Sequence, residues 1–135
     1  MKFTFSWLKD HLNTSANVNE IVDCLNKIGL EVSNLKTYKT DVKNLKVGKI
    51  IDVKKHPNAD KLKVCTIQFD EAQTQVVCGA PNVNINKKYV FAPPGTFIGG
   101  IDLTLKKALI RDIESNGMLC SEKELEISDN HHGII

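Results

Sequence analysis

Hydrophobic residues recur along this chain with two different periods, and the change falls near residue 40. Before it, Val18, Ile21, Val22, Leu25 and Ile28 repeat at three- and four-residue spacing, the period of one helix face. Asn17 stands three residues before Glu20, a capping-box arrangement, and Gly29 falls where a glycine ends a helix. Upstream, Phe3 and Phe5 alternate as in a short strand, and Ser6 is placed to cap a helical turn through Trp7, Leu8 and Leu12. Leu30, Val32 and Leu35 predict a strand or an extended exit from the helix. This first segment, 1–40, is too small to enclose a core, so its apolar helix face needs another surface.

From Asp41 the pattern becomes one of short strands separated by turn residues. Val47 to Val53, Leu62 to Phe69, Thr74 to Cys78, Lys88 to Ala92 and Leu103 to Ile110 are rich in Val, Ile and Phe, and the breaks hold Pro, Gly, Asn or Asp. Ser115 to Glu122 combines a turn at Asn116-Gly117 with an inward-reading Met-Leu-Cys. Ser121 and Glu124 form a second capping-box pattern that predicts a short acidic helix through Leu125. The expected fold is mainly β, with a small α/β segment at 1–40 and a five-stranded OB-fold barrel over 41–135. A small Greek-key or SH3-like barrel fits the same pattern.

Composition narrows the class. The 135 residues are 41% hydrophobic and 25% charged, the balance of a soluble globular protein. No apolar run approaches the roughly 20 residues of a membrane span. Met1 to Trp7 lacks the apolar stretch of a signal peptide, so the expected location is the cytoplasm, with no membrane partner. Cys24, Cys65, Cys78 and Cys120 lie far apart without a C-x-x-C pair, which predicts buried thiols. A zinc site from His56, Cys65, Cys78 and Cys120 would lack paired ligand spacing, and no metal is expected.

Charge is uneven. Asp41 to Arg111 holds eleven lysines and one arginine against six acids, whereas Asp112 to Ile135 holds one lysine against six acids. A basic body with an acidic last segment suits a polyanionic partner for the body. The cations concentrate around His56-Pro-Asn-Ala-Asp-Lys-Leu62. Pro57 ends the incoming strand, Asn58 and Asp60 suit a tight turn, and Lys54, Lys55, Lys61 and Lys63 flank it. Such a loop fits a phosphate backbone, although an ordinary solvated hairpin has the same composition.

Four stretches occur together in order: Val47-Gly-Lys-Ile50, His56-Pro-Asn-Ala-Asp-Lys-Leu62, Val77-Cys-Gly-Ala-Pro-Asn-Val83 and Ser115-Asn-Gly-Met-Leu-Cys-Ser121. They resemble the tRNA-binding OB domain carried by several aminoacyl-tRNA synthetases. Met1-Lys-Phe-Thr-Phe-Ser-Trp-Leu-Lys9 and Ile28-Gly-Leu-Glu-Val32 narrow the resemblance to the start of bacterial-type phenylalanyl-tRNA synthetase beta subunits. It implies a non-catalytic, tRNA-binding portion of a much longer chain. The implied parent is an α2β2 tetramer with an alpha subunit that carries the aminoacylation site. That parent would use ATP and magnesium to join phenylalanine to its tRNA, whereas no cofactor is expected in this portion.

The resemblance and the barrel reading together place RNA contacts on Lys54, Lys55, His56, Asn58, Lys61 and Lys63. The lysines would hold phosphates, and His56 and Asn58 would reach sugar or base edges. Asn82, Lys87 and Lys88 form a second group, with a solubilising strand edge as their plain role. Arg111 suits stacking or phosphate contact, or a salt bridge to Asp112 or Glu114. Ser115 and Met118 match motif positions near the family's binding side, although Met118 suits a core equally well.

Two rival functions remain. The barrel could be a structural module of the synthetase with little direct tRNA contact, a reading that the unpartnered helix face favours. Alternatively, Cys78 or Cys120 could be a histidine-activated nucleophile, which no spacing supports. The single arginine cannot build an ATP cradle, and no Walker glycine loop or G-x-S-x-G elbow is present. His131-His132 reads as a frayed surface pair.

Overall fold

The computed structural model describes residues 1–135, and the chain divides into two compact units, Met1–Thr37 and Tyr38–Ile135.

The first unit contains helices α1, Phe5–His11, and α2, Val18–Lys27. Thr4 rather than Ser6 caps α1, its side chain accepting from the Trp7 amide at 3.2 Å, and Phe3 and Phe5 form no strand. The helix starts two residues earlier than the sequence predicts, because a threonine two residues upstream offers the same capping oxygen. In α2 the box is complete. Asn17 Oδ1 accepts from the Asn19 and Glu20 amides, and Glu20 Oε2 accepts from the Asn17 amide at 2.8 Å. The other end closes as a Schellman motif: Leu30 N donates to Leu25 O at 2.9 Å and Gly29 N donates to Asn26 O at 3.2 Å, with Gly29 at φ +87°. Leu30 to Leu35 pairs with no strand, and neither helix buries a residue.

The second unit is built on an antiparallel sheet of order β3-β2-β1-β4-β9, curled into an OB-like half-barrel. Its first four strands are β1 (Lys46–Lys55), β2 (Lys63–Phe69), β3 (Ala72–Cys78) and β4 (Lys88–Ala92). Strand β1 serves both edges, pairing Lys46–Lys49 with β4 and Lys49–Lys55 with β2. Its register with β2 shifts between Ile50 and Asp52. A bulge there bends and twists the strand, which lets one ten-residue strand lie in both halves of the curl.

Leu103 to Ile110 is not the single fifth strand that its composition predicts. It splits into β6 (Leu103–Thr104), paired with β5 (Phe97–Ile98), and β7 (Ala108–Ile110), paired with β8 (Ile113–Ser115). The sheet's fifth member is β9 (Met118–Leu119), opposite Ala92 and Phe91. Between the two pieces Leu105 turns inward and donates to Thr96 O at 2.9 Å, so the chain leaves one pairing before starting the next. The expected acidic helix after Ser121 is a run of turns. Glu124 still accepts from the Ser121 amide, but Glu126 sits at φ +60°, which a helix cannot continue.

Alternation along the strands sends Ile50, Cys65, Ile67, Val76, Tyr89 and Phe91 into one core, joined by Val83, Leu119 and Ile134. The other face of β4 contributes Ala92 to a second core with Ile98, Leu105, Cys120 and Leu125. Gly48 sits where β1 crosses the first core: a Cβ there would stand 2.5 Å from Ile67 Cγ2 and 3.1 Å from Phe91 Cβ. The open edge of β3 is tied down by the turn before β9. Asn116 N donates to Gln75 O at 2.9 Å, and Val77 N donates to Ser115 Oγ at 3.1 Å. A third tie holds the unit's first residues, where Glu126 Oε2 accepts from the Lys39 and Thr40 amides at 2.8 and 2.9 Å.

Candidate nucleic-acid interface

The loop between β1 and β2 is closed at its base by His56 N donating to Leu62 O at 3.1 Å. Inside it, the His56 ring is only 2% exposed. Its Nδ1 accepts from the Asn58 amide at 3.1 Å, which leaves the proton on Nε2 to be donated to Ile110 O at 3.0 Å. The ring thus shapes the turn on one side and fastens it to the β7–β8 hairpin on the other. That hairpin turns at Arg111 and Asp112, both with positive φ, the two-residue geometry whose twist matches an antiparallel pair. Its tip reaches back: Arg111 Nη1 donates to Asn58 O at 3.2 Å, and Asn58 Nδ2 donates to Arg111 O at 3.4 Å.

Residues more than fifty positions apart are therefore brought together as one braced turn. Its outward side is cationic. The Lys54 and Lys55 side chains are 77% and 74% exposed, paired with Asp52 at 3.2 Å and Asp60 at 3.1 Å. Ion pairs this exposed are weak and give way readily to a competing anion. Lys61 is exposed and makes no ion pair, and Lys63 Nζ lies 3.5 Å from Val83 O. Directly opposite Lys63 in the ladder stands Lys55, a like-charge pair at the mouth of the loop.

A family described as "Putative tRNA binding domain" matches residues 45–135. The chain belongs to this family. All 135 residues also align with phenylalanine–tRNA ligase beta subunits. The identity is 47% to that of Ruegeria pomeroyi, 50% to that of Mesorhizobium japonicum and 49% to that of Rhodopseudomonas palustris. The chain spans about 17% of the length of each of these relatives.

Within this tRNA-binding-domain chain, the residues expected to touch RNA fall into three groups. Lys54, Lys55 and Lys61 lie outward on or beside the braced turn, with Arg111 and Asn58 joining it to the hairpin. Arg111 forms neither of the expected salt bridges because its guanidinium is drawn to the Asn58 carbonyl. His56 and Ser115 are turned inward, and their polar atoms are taken up by the fold. Asn82 is likewise engaged, its amide exchanging two hydrogen bonds with the backbone of Ile134 at 2.7 and 3.0 Å. Met118 is half-buried in β9 against the second core. Lys87 and Lys88 are exposed at the start of β4, away from the loop and beside Lys49.

Sequence reasoning passes over a concavity of about 680 Å³, walled by Val77, Leu105, Ile110 and Met118 and reached by Glu124 and His131. His131 is not frayed: its Nδ1 lies 3.0 Å from Ser121 Oγ and 3.4 Å from Glu124 Oε1. Serine, histidine and glutamate meet here, but the same ring nitrogen faces both partners. A proton relay needs the two nitrogens on opposite partners, so this is no catalytic triad. The thiols are equally unsuited to attack. Burial pushes Cys65 and Cys120 up to about 12 and raises Cys78 as well, which keeps all three protonated near neutrality.

Proposed function

We propose that this chain is the tRNA-docking part of a phenylalanine–tRNA ligase beta subunit and does no chemistry itself. The observation that carries the reading is the β1–β2 turn. It is braced from behind through His56–Ile110 and Arg111–Asn58 and presents Lys54, Lys55 and Lys61 to solvent. A preformed loop gives up little entropy on binding, and its lysines release counterions from the RNA backbone. Contacts of this kind position a folded tRNA without reading its sequence. The names of the relatives support phenylalanine-specific tRNA as the partner and a longer beta chain as the context. The parent in this reading is an α2β2 ligase with an alpha subunit. ATP and magnesium would act in that ligase at sites outside this chain.

Binding to phenylalanine tRNA over a salt series tests this, with unrelated duplex RNA as control. Saturable binding whose affinity falls linearly with log salt, and which weakens on changing Lys54, Lys55 and Lys61 to Ala, is the expected result. No binding at low salt would refute it.

A second reading, a structural module of the ligase, is favoured by the two helices of the first unit, which bury nothing while exposing Trp7, Leu12 and Ile28. A ligase that charges tRNA normally with the three lysines replaced, but fails to assemble when Leu25 and Ile28 are made polar, would support it.

A further inference from the structure

Leu119 and Ile134 of the first core, and Leu105 of the second with Met118 packed on it, line a common trough, the concavity of about 680 Å³. That volume falls within the roughly 300–1,000 Å³ of small-molecule sites, which are apolar pockets holding a few placed polar groups. The trough has such a group. Glu124 lines it together with Ser121 and His131, and the Glu124 side chain is 11% exposed. One carboxylate oxygen is fixed by the fold: Glu124 Oε2 accepts from both the amide and the hydroxyl of Ser121. The partner of Oε1 is His131 Nδ1 at 3.4 Å, on a side chain that is 65% exposed. No lysine or arginine pairs with Glu124.

A carboxylate withdrawn from water is costly unless a cation meets it, and the fold supplies this one with hydrogen bonds but no permanent positive charge. Its field reaches the neighbouring thiols. Burial is the main cause that raises Cys78 and Cys120, and Glu124 raises both further, with Lys63 opposing it at Cys78. The trough therefore joins an apolar wall to a negative potential. That combination repels an RNA phosphate and suits a cation with an apolar body.

We infer that this trough is a binding site for a small organic amine, an apolar body carrying one ammonium group. The ammonium would donate to Glu124 Oε1 in the place that His131 Nδ1 holds, with the Ser121 hydroxyl beside it. An ion pair as exposed on one side as that of His131 is weak and gives way to a better-placed cation. The body would lie against Leu105, Ile110, Met118 and Ile134. Charge then selects the ligand and apolar area holds it, since a bond between two ionised groups is about twice as strong as a neutral one. The site is separate in kind from the braced turn, taking a cation where the turn takes a polyanion.

The test uses three probes of one shape, phenylbutylamine, phenylbutanol and phenylbutanoate, titrated into the chain and followed by amide NMR shifts. The amine is expected to move the resonances of Val77, Ile110, Met118 and Glu124 and to bind about tenfold tighter than the alcohol, the worth of one hydrogen bond to a charged group. The carboxylate should bind more weakly than the alcohol. E124Q keeps an oxygen for the Ser121 amide while removing the charge, and it should erase the advantage of the amine. An amine that moves none of these resonances, an alcohol that binds as tightly as the amine, or an advantage that survives in E124Q would each overturn the inference. If E124Q fails to fold, the comparison of the three probes on the unsubstituted chain decides. No RNA enters the measurement, so failure here leaves the docking reading standing.

Discussion

Replacing His56 with Phe would keep most of the ring volume while removing both of its hydrogen bonds. The Ile110 carbonyl would lose its donor in a site where the ring is 2% exposed, and the Asn58 amide would lose its acceptor. An orphaned buried partner costs about 1–3 kcal/mol, and a lost bond at a wetter site about 0.5–1.5 kcal/mol. The expected destabilisation is therefore about 2–4 kcal/mol, which lowers the Tm of a unit of this size by roughly 10–20 °C. Thermal melts followed by circular dichroism would read the first effect. Hydrogen exchange would read the second: the Leu62 amide, bonded to Ala59 O inside the turn, should lose protection along with Asn58. The substitution removes no lysine, so any loss of tRNA affinity should leave the salt slope unchanged. A melt within 0.5 kcal/mol of the parent, roughly the spread of neutral surface changes, with Asn58 still protected, would refute the bracing role.

Gly48→Ala should destabilise by about 1–3 kcal/mol in urea titration, since the added methyl meets Ile67 and Phe91 in a packed core. Glu126 gives the acid limb a definite sign. The Thr40 amide is the main cause that holds its carboxyl below the ordinary value of 4.5, with the Lys39 amide and the Thr40 hydroxyl adding to it. The folded state then binds fewer protons than the unfolded one, so the contribution is present above pH 4.5 and is lost as pH falls through the lower folded value. Glu126→Gln should flatten that limb of a stability–pH curve, and an unchanged curve would count against the tie. Iodoacetamide at neutral pH should label exposed Cys24 well before Cys65, Cys78 and Cys120, as mass spectrometry of peptides would show.

Some elements could be read directly from local residues. Helix α2 announces both of its ends, because the box of Asn17 and Glu20 and the left-handed Gly29 are interactions among near neighbours. Strands β1 to β4 were legible for a similar reason: each has several alternating positions, and the turns between them carry Pro, Gly, Asn or Asp. Strand β9 has only two residues, too few for any period, and it becomes a strand because Ala92 and Phe91 are there to pair with it. The Leu103 to Ile110 run shows the converse error. Its composition suits one strand, but Leu105 is claimed by the second core and breaks the run in two.

The same division holds at the candidate site. Sequence alone determined that a polar turn flanked by lysines sits between two strands, since charge and turn chemistry are properties of the residues themselves. It also supported the family, because the motifs around His56, Val77 and Ser115 occur together in order. Only the tertiary structure decided which side chains stay available. His56 and Arg111 are 55 positions apart, and nothing local says that one ring will donate to Ile110 O or that the Asn58 carbonyl will take the guanidinium. The opposition of Lys49 and Lys88 is equally non-local, a matter of register between strands nearly forty residues apart. Residue type sets what a side chain can do. Packing and register set which of those things it remains free to do.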